Sequence, residues 1–211
     1  MRRITPPIVP AARVKSLRRQ LTRQDIASQL WKRTTGQIGA FKSTLTDQLK
    51  VNQDRRCAYC GTYLFEDFPH RDHIAPKNPH FNWTFWPTNL VLACYSCNTD
   101  RKKRTDTVSQ VHPTYRRSKF RIIHPYFDDP NAHLNFIGHR GKILINPKNG
   151  SAKGKETIEL FDLMSPERAK QRAKDALLDR DVAHLHGRWR YLFEQLAFSP
   201  LTESRALKMK K

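Results

Sequence analysis

The sequence predicts an α+β protein in which a small, metal-stapled core of short strands is flanked by helices on its N- and C-terminal sides. Three observations predict this. Two Cys-x-x-Cys pairs, Cys57 with Cys60 and Cys94 with Cys97, bracket a proline-rich stretch. Apolar residues at steps of three and four precede that stretch and return near the end of the chain, which is the helical period. Between them lie short β-branched and aromatic runs bounded by turn residues.

Taken in order, residues 1–13 carry Pro6, Pro7 and Pro10 and predict an extended or mobile arm. Leu17, Leu21, Ile26, Leu30 and Trp31 predict one helix. Ile38, Phe41, Leu45 and Leu49 predict a second, with the break at Thr34-Thr35-Gly36. Residues 53–105 hold the cysteines, and Pro69, Pro76, Pro79 and Pro87 restrict them to irregular chain and short strands. Phe120-Arg121-Ile122-Ile123 and Lys142-Ile143-Leu144-Ile145 read as strands, with a turn at Asp128-Asp129-Pro130 between them. Thr157 to Leu163 is apolar without a decidable period. Ser165-Pro166-Glu167 combines a capping serine, a first-turn proline and an early acid, so a long helix starts there. It runs towards residue 197 with a break at Gly187, and its second part aligns Leu185, Trp189, Leu192, Phe193 and Leu196 on one face. The end, Lys208-Met209-Lys210-Lys211, is expected to fray. The chain therefore divides into an N-terminal arm and helices (1–52), a central core (53–110) and a C-terminal extension with short strands and a long helix (111–211).

Charge narrows the function. Thirty-nine Lys and Arg face 19 Asp and Glu, a formal net charge of +20. Such an excess repels itself in the compact state and attracts polyanions, of which nucleic acid is the commonest. A basic surface protein of the ribosomal kind is the plainer alternative. Residues 1–20 hold six Lys and Arg without the apolar run of a secretory signal, and no stretch is long and apolar enough for a membrane span. The expectation is a cytoplasmic protein, where paired cysteines hold metal more often than they form disulfides.

Two residues between cysteines let both sulfurs of a tight turn face one ion, and two such turns supply the tetrahedral set of a closed zinc site. Cys57, Cys60, Cys94 and Cys97 are therefore expected to bind structural zinc. The 33 residues between the pairs exceed the usual zinc-ribbon spacing and imply an insertion. Free buried thiols or a redox pair are the alternatives, and no βαβ pattern supports the second. Four thiolates leave no open position, so this zinc is not expected to be catalytic.

The insertion reads His70-Arg71-Asp72-His73-Ile74-Ala75-Pro76-Lys77, then Pro87-Thr88-Asn89-Leu90. Cys97-Asn98 and the basic run Arg101-Lys102-Lys103-Arg104 follow. Cutting a phosphodiester needs a base to activate water, a cation to offset charge on the phosphate and leaving oxygen, and positive groups to hold the backbone. Histidine titrates near working pH and suits the base. A hard cation such as Mg²⁺ takes oxygen ligands, and Asp72 with the Asn98 amide oxygen meets that need.

The order Cys-x-x-Cys, Asp-His-Ile-x-Pro, Asn-Leu, Cys-x-x-Cys-Asn and a basic helix resembles the zinc-stapled HNH endonucleases with a ββα-metal core, in the His-Asn-Asn variant. The steps of 16 from His73 to Asn89 and 9 from Asn89 to Asn98 suit that family. The resemblance implies His73 as general base, Asp72 and Asn98 as ligands of a catalytic Mg²⁺ or Mn²⁺, and Asn89 as the loop brace that orients the histidine. It places Lys77, Arg101, Lys102, Lys103 and Arg104 near nucleic-acid phosphates. Each residue also has an ordinary reading. Asp72 and Asn89 suit turns, His73 suits a satisfied half-buried position, and Asn98 suits a helix cap. In order and between two zinc knuckles, the combination favours catalysis.

His124-Pro125-Tyr126-Phe127-Asp128-Asp129 is a second polar cluster, read first as a structural turn. It also resembles larger bacterial HNH proteins of anti-phage defence systems, such as the Septu- and retron-associated effectors, which would imply a regulatory ATPase or another partner subunit. Trp83, Phe85 and Trp86 are expected to form the mini-core of the zinc site, with stacking on bases as the alternative. The expected function is metal-dependent hydrolysis of DNA. The alternatives are an RNA-cleaving HNH enzyme and a basic zinc-ribbon module that binds nucleic acid without cutting it.

Overall fold

A computed structural model describes residues 1–64, 69–138 and 143–198. Lys142 of the expected second strand, Leu196 on the C-terminal helix face and the expected frayed end at Lys208–Lys211 lie outside what is described of side chains or chain.

The N-terminal segment forms three helices: α1 (Ala11–Arg19), α2 (Gln24–Lys32) and α3 (Gly36–Asn52). The first expected helix is thus two. Leu17 to Leu21 is a step of four but Leu21 to Ile26 is a step of five, which carries the apolar face off a single stripe. The chain closes tightly there, with the Gln20 N–H on Leu17 O and the Leu21 N–H on Arg18 O. The break before α3 falls where expected, and Gly36 has φ +63°, a left-handed conformation that glycine adopts without penalty. Helix α3 buries Ile38, Phe41, Leu45 and Leu49. The Lys42 ammonium reaches the carbonyls of Trp31 and Arg33 at the end of α2, where a cation offsets the orphan carbonyls. The arm is extended and docked rather than loose. Ile4 is buried with its N–H on Pro125 O (2.8 Å), and Gln48 of α3 grips the backbone of Ile8 from both sides.

The centre is a hairpin and a helical turn. Strands β1 (His70–His73) and β2 (Leu90–Ala93) pair antiparallel, with Asp72 opposite Val91 and His73 opposite Leu90. All four residues of β2 are buried, which accounts for an uninterrupted apolar run instead of an alternating one. Ser96–Lys102 then forms a π-helical turn, a rare geometry that recurs at functional sites. Trp83 and Phe85 are buried, and Phe85 packs on Phe41 and Trp31, so the mini-core they form lies against α2 and α3, while Trp86 stays half-buried beneath Arg18. The result is the mixed α/β core, flanked by helices, that the sequence predicts.

The extension adds two small hairpins, β3 (Val108–Gln110) with β4 (Lys119–Phe120), and β5 (Leu134–Ile137) with β6 (Leu144–Pro147). The strand expected over 120–123 stops at Phe120. Ile122 and Ile123 are both buried, which a strand with one solvent face does not allow, and the chain instead bends so that the Ile123 N–H meets Thr157 Oγ1. Asp129 caps the short helix α4 (Pro130–His133). The undecided stretch around Thr157 is helix α5 (Ala152–Phe161), capped by Ser151. Ser165 caps α6 (Pro166–Ala183) as its motif predicts, and α7 (Gly187–Phe198) begins at the expected glycine break. Trp189 on α7 is 72% exposed, so the apolar face expected there is not buried. One hydrophobic core runs from Ile4 through α3, the knuckles and β2 to Phe161 and Leu163, joining all three expected segments. No described helix is long and apolar enough to cross a membrane.

Candidate nuclease site and zinc centre

The first knuckle follows α3 and the second follows β2, so the β1–β2 hairpin carries the two cysteine pairs to one point. The sulfurs of Cys57, Cys60, Cys94 and Cys97 all lie within 4.8 Å of one another, and Cys60 and Cys94 Sγ are 3.8 Å apart. A tetrahedron with Zn–S bonds of about 2.3 Å has edges of about 3.8 Å, so the set fits zinc. Helix α6 closes this site. Arg168 Nη2 lies 3.4 Å from Cys97 Sγ and 3.0 Å from Ser96 Oγ, and Nη1 lies 4.0 Å from Cys94 Sγ. Burial alone would lower the Arg168 pKa, and the sulfur charges outweigh it and raise it. Arg56, beside the first knuckle, pairs with Asp175 and Asp179 on the same helix. The sequence offered no sign of Arg168, which lies 71 residues beyond Cys97.

Strand alternation divides β1 between two faces. His73 points towards α2, its ring 4.4 Å edge-on from Trp31. Its Nε2 lies 3.0 Å from Thr84 O. A carbonyl only accepts, so Nε2 carries the proton and Nδ1 presents a lone pair. Among the described residues Nδ1 has no hydrogen-bond partner. The single enclosed side-chain nitrogen or oxygen without a partner there is Arg172 Nη1, so His73 Nδ1 is not fully sealed although the residue is buried. Burial, then the positive charge of Lys77, holds the His73 pKa well below its usual value, against the opposing pull of the Thr84 carbonyl. The imidazole is therefore neutral at neutral pH.

Asn89 is fully buried and holds the loop between the strands. Its Oδ1 accepts from the Ala75 N–H (2.7 Å), and its Nδ2 donates to Ala75 O and Trp83 O (3.1 Å each). Thr84, the residue after Trp83, supplies the carbonyl that fixes His73.

The opposite face holds His70 and Asp72. Asp72 is buried, with Oδ2 accepting from Tyr59 Oη (2.5 Å) and Oδ1 lying 3.2 Å from Lys102 Nζ. Lys102 also donates to His73 O (2.7 Å). The lysine expected at phosphate thus faces inward, because the π-helical turn carries it beneath β1 beside an otherwise uncompensated carboxylate. Arg101 pairs with Asp162 at 2.7 Å, whereas Lys103 and Arg104 stay exposed and Lys77 sits half-buried over Trp31. Asn98 does not hydrogen-bond Asp72. Its Nδ2 lies 3.0 Å from His70 Nδ1. Asp72 and Asn98 nonetheless border the same face of β1, and each has oxygen to offer a hard cation. Asp72 keeps unused lone pairs on both oxygens, so the donor set fits such an ion provided that Lys102 yields its place.

Comparison with known proteins finds similarity in the segment that carries the candidate site. Residues 57–104 of the chain, under a quarter of its length, match the family described as HNH endonuclease. It is 25% identical over 159 residues to the Septu protein PtuB of Bacillus mycoides (strain KBAB4), across 65% of this chain and 52% of that protein. It is 29% identical over 85 residues to Protein ea31 of Escherichia phage lambda, across 40% of this chain and 25% of that protein. The chain thus spans about half the length of the first relative and a quarter of the second.

Proposed function

We propose that the chain is a metal-dependent endonuclease that hydrolyses DNA phosphodiester bonds with His73 as general base. The observation that carries this reading is the His73 Nε2–Thr84 O bond, which fixes the tautomer and leaves Nδ1 to take a proton from water. The low His73 pKa keeps that nitrogen unprotonated. Asn89 holds the loop, Tyr59 and Lys102 hold Asp72, and the exposed Lys103 and Arg104 with half-buried Lys77 meet the phosphate backbone. Mg²⁺ or Mn²⁺, held by Asp72 and the Asn98 amide oxygen, would supply charge to the scissile phosphate and the leaving 3′ oxygen. The products would be a 5′-phosphate and a 3′-hydroxyl, as the HNH resemblance implies. Zinc in the four-cysteine site is structural. The similarity to a Septu protein supports a role as effector in bacterial anti-phage defence. In this proposal the chain acts in the cytoplasm, and the resemblance to defence-system HNH proteins implies a regulatory subunit such as an ATPase.

A second reading is a module that binds nucleic acid without cutting it, favoured by the Lys102–Asp72 ion pair, which satisfies the carboxylate without a metal. Supercoiled plasmid incubated with zinc-loaded protein and Mg²⁺, Mn²⁺ or EDTA, beside His73→Ala, separates the two. Metal-dependent nicking that vanishes in the variant supports the nuclease. DNA retention without cutting by either protein supports the module, and a parallel RNA arm identifies an RNA-cleaving enzyme.

A further inference from the structure

Asn89, the brace of the catalytic loop, is itself held from outside the segment that carries the motif. Tyr115 Oη donates to Asn89 Oδ1 at 2.9 Å and lies 3.0 Å from His124 Nε2. The Tyr126 N–H donates to His124 Nδ1 at 3.2 Å. A backbone N–H only donates, so His124 Nδ1 is unprotonated and Nε2 carries the hydrogen. That hydrogen goes to Tyr115 Oη, whose own hydrogen goes to Asn89. Asn89 then binds Ala75 and Trp83, and the neighbouring Thr84 carbonyl receives His73 Nε2–H. Each hydrogen in this series has one possible place.

Tyr115, His124, Asn89 and His73 are all buried. No water competes for these bonds, and a misdirected donor costs its full desolvation penalty. The Tyr115 ring also packs edge-on against Trp83 (5.0 Å), and His124 stacks on Phe127 at 4.1 Å. The polar cluster around His124 is thus the turn that the sequence predicts, with its histidine directed inward to Tyr115.

We propose that Tyr115 and His124 are positioning residues of the nuclease site: through Asn89 they set the loop from Ala75 to Thr84 and so the direction of His73 Nδ1. This rests on His73 being the base, but its central element, the direction of the hydrogens, is measurable without any cutting.

The experiment uses the full, zinc-loaded chain labelled with ¹⁵N-histidine. In the wild type, long-range ¹⁵N–¹H spectra are expected to show His124 and His73 both as the Nε2–H tautomer. His124 as the Nδ1–H tautomer overturns the proposal outright. In Tyr115→Phe, which keeps the ring and loses the hydroxyl, the His73 signals shift. Plasmid cutting falls roughly tenfold to a hundredfold in kcat, with KM for DNA held within about twofold. His124→Leu behaves likewise, whereas His124→Gln, whose amide nitrogen can donate to Tyr115, recovers most of the rate. Folded fraction is normalised by circular dichroism, and Ile145→Val, a core change remote from the series, leaves the His73 signals in place. Folded Tyr115→Phe with unmoved His73 signals and wild-type kcat overturns the proposal. If the wild type cuts nothing, the nuclease reading falls alone, and the His73 signals in Tyr115→Phe still decide whether the series positions that ring.

Discussion

Lys102 Nζ lies 3.2 Å from Asp72 Oδ1 with both side chains almost wholly withdrawn from water, at 1% and 7% exposure. Two opposite charges beneath one strand are costly to desolvate and costlier still to separate. Removing either partner leaves the other as a buried, uncompensated charge. Asp72→Asn and Lys102→Met should each lower stability by about 3–5 kcal/mol. The double variant should cost clearly less than the two together, because neither charge then remains. Urea unfolding of all four proteins at one pH gives the coupling, and additive losses would show that the pair is not linked in this way.

The zinc centre predicts both a stoichiometry and a dependence on α6. Elemental analysis should give one zinc per chain, and Cys97→Ser or exhaustive chelation should abolish cooperative unfolding, since metal binding contributes directly to folding free energy. Arg168 donates towards Cys94 and Cys97, so Arg168→Ala should raise the rate of zinc transfer to a chromogenic chelator by roughly tenfold or more. An unchanged transfer rate would reduce the Arg168 contacts to surface packing.

The sequence made the zinc set and the motif legible because both depend on local spacing. Cys57 with Cys60, and Cys94 with Cys97, needed only a two-residue gap and a hairpin to bring the pairs together. Helix starts were legible for the same reason, since Ser165 bonds an N–H three residues on. What stayed hidden depends on residues distant in sequence. Lys102 read as a surface cation within a basic run, and only the π-helical turn shows that it faces Asp72. Asn98 stood at the family's ligand position, yet its amide meets His70, a neighbour visible only once β1 and the turn are packed. Arg168 and Tyr115 reach the site across 71 and 26 residues, and no periodicity records such contacts. The extra helix break after Arg19 was present in the pattern as the five-residue step from Leu21 to Ile26, but the other steps, of four, four and one, also fit one helix.

Gly154 shows steric contact overriding helix propensity. It lies inside α5, where alanine is ordinarily favoured by about 1 kcal/mol. A Cβ at Gly154 would meet His133 O at 2.3 Å, a backbone atom that cannot swing aside. Gly154→Ala should therefore destabilise by about 1–3 kcal/mol instead of stabilising. The effect should reach the site, because α5 carries Phe161, stacked on Tyr59 at 4.1 Å, and Tyr59 holds Asp72. Thermal unfolding checks the sign, and a higher Tm in the variant would refute the close approach.

His124 makes acid sensitivity predictable. Burial lowers its pKa from 6.5 to about 3; Asp128 opposes that shift and Lys153 adds to it. Asp128 faces it through the His124 N–H (2.8 Å), Lys153 pairs with Asp128 from α5, and the Tyr115 and Tyr126 side chains pack alongside. Above pH 6.5 the ring is neutral both folded and unfolded, so it adds no pH dependence. As pH falls below 6.5 the unfolded chain takes up a proton that the folded chain refuses, and stability is lost until about pH 3. The slope over that window approaches about 1.4 kcal/mol per pH unit. His124→Gln keeps hydrogen-bonding groups but cannot titrate. Between pH 6.5 and about 4.5 the wild type should therefore lose roughly 2–3 kcal/mol more than the variant, read from urea unfolding at the two pH values. His73 is present in both proteins, so its own titration cancels from the difference. Parallel losses would mean that His124 is protonated as readily in the folded chain as in the unfolded one, which its enclosure between Tyr115 and Phe127 does not permit.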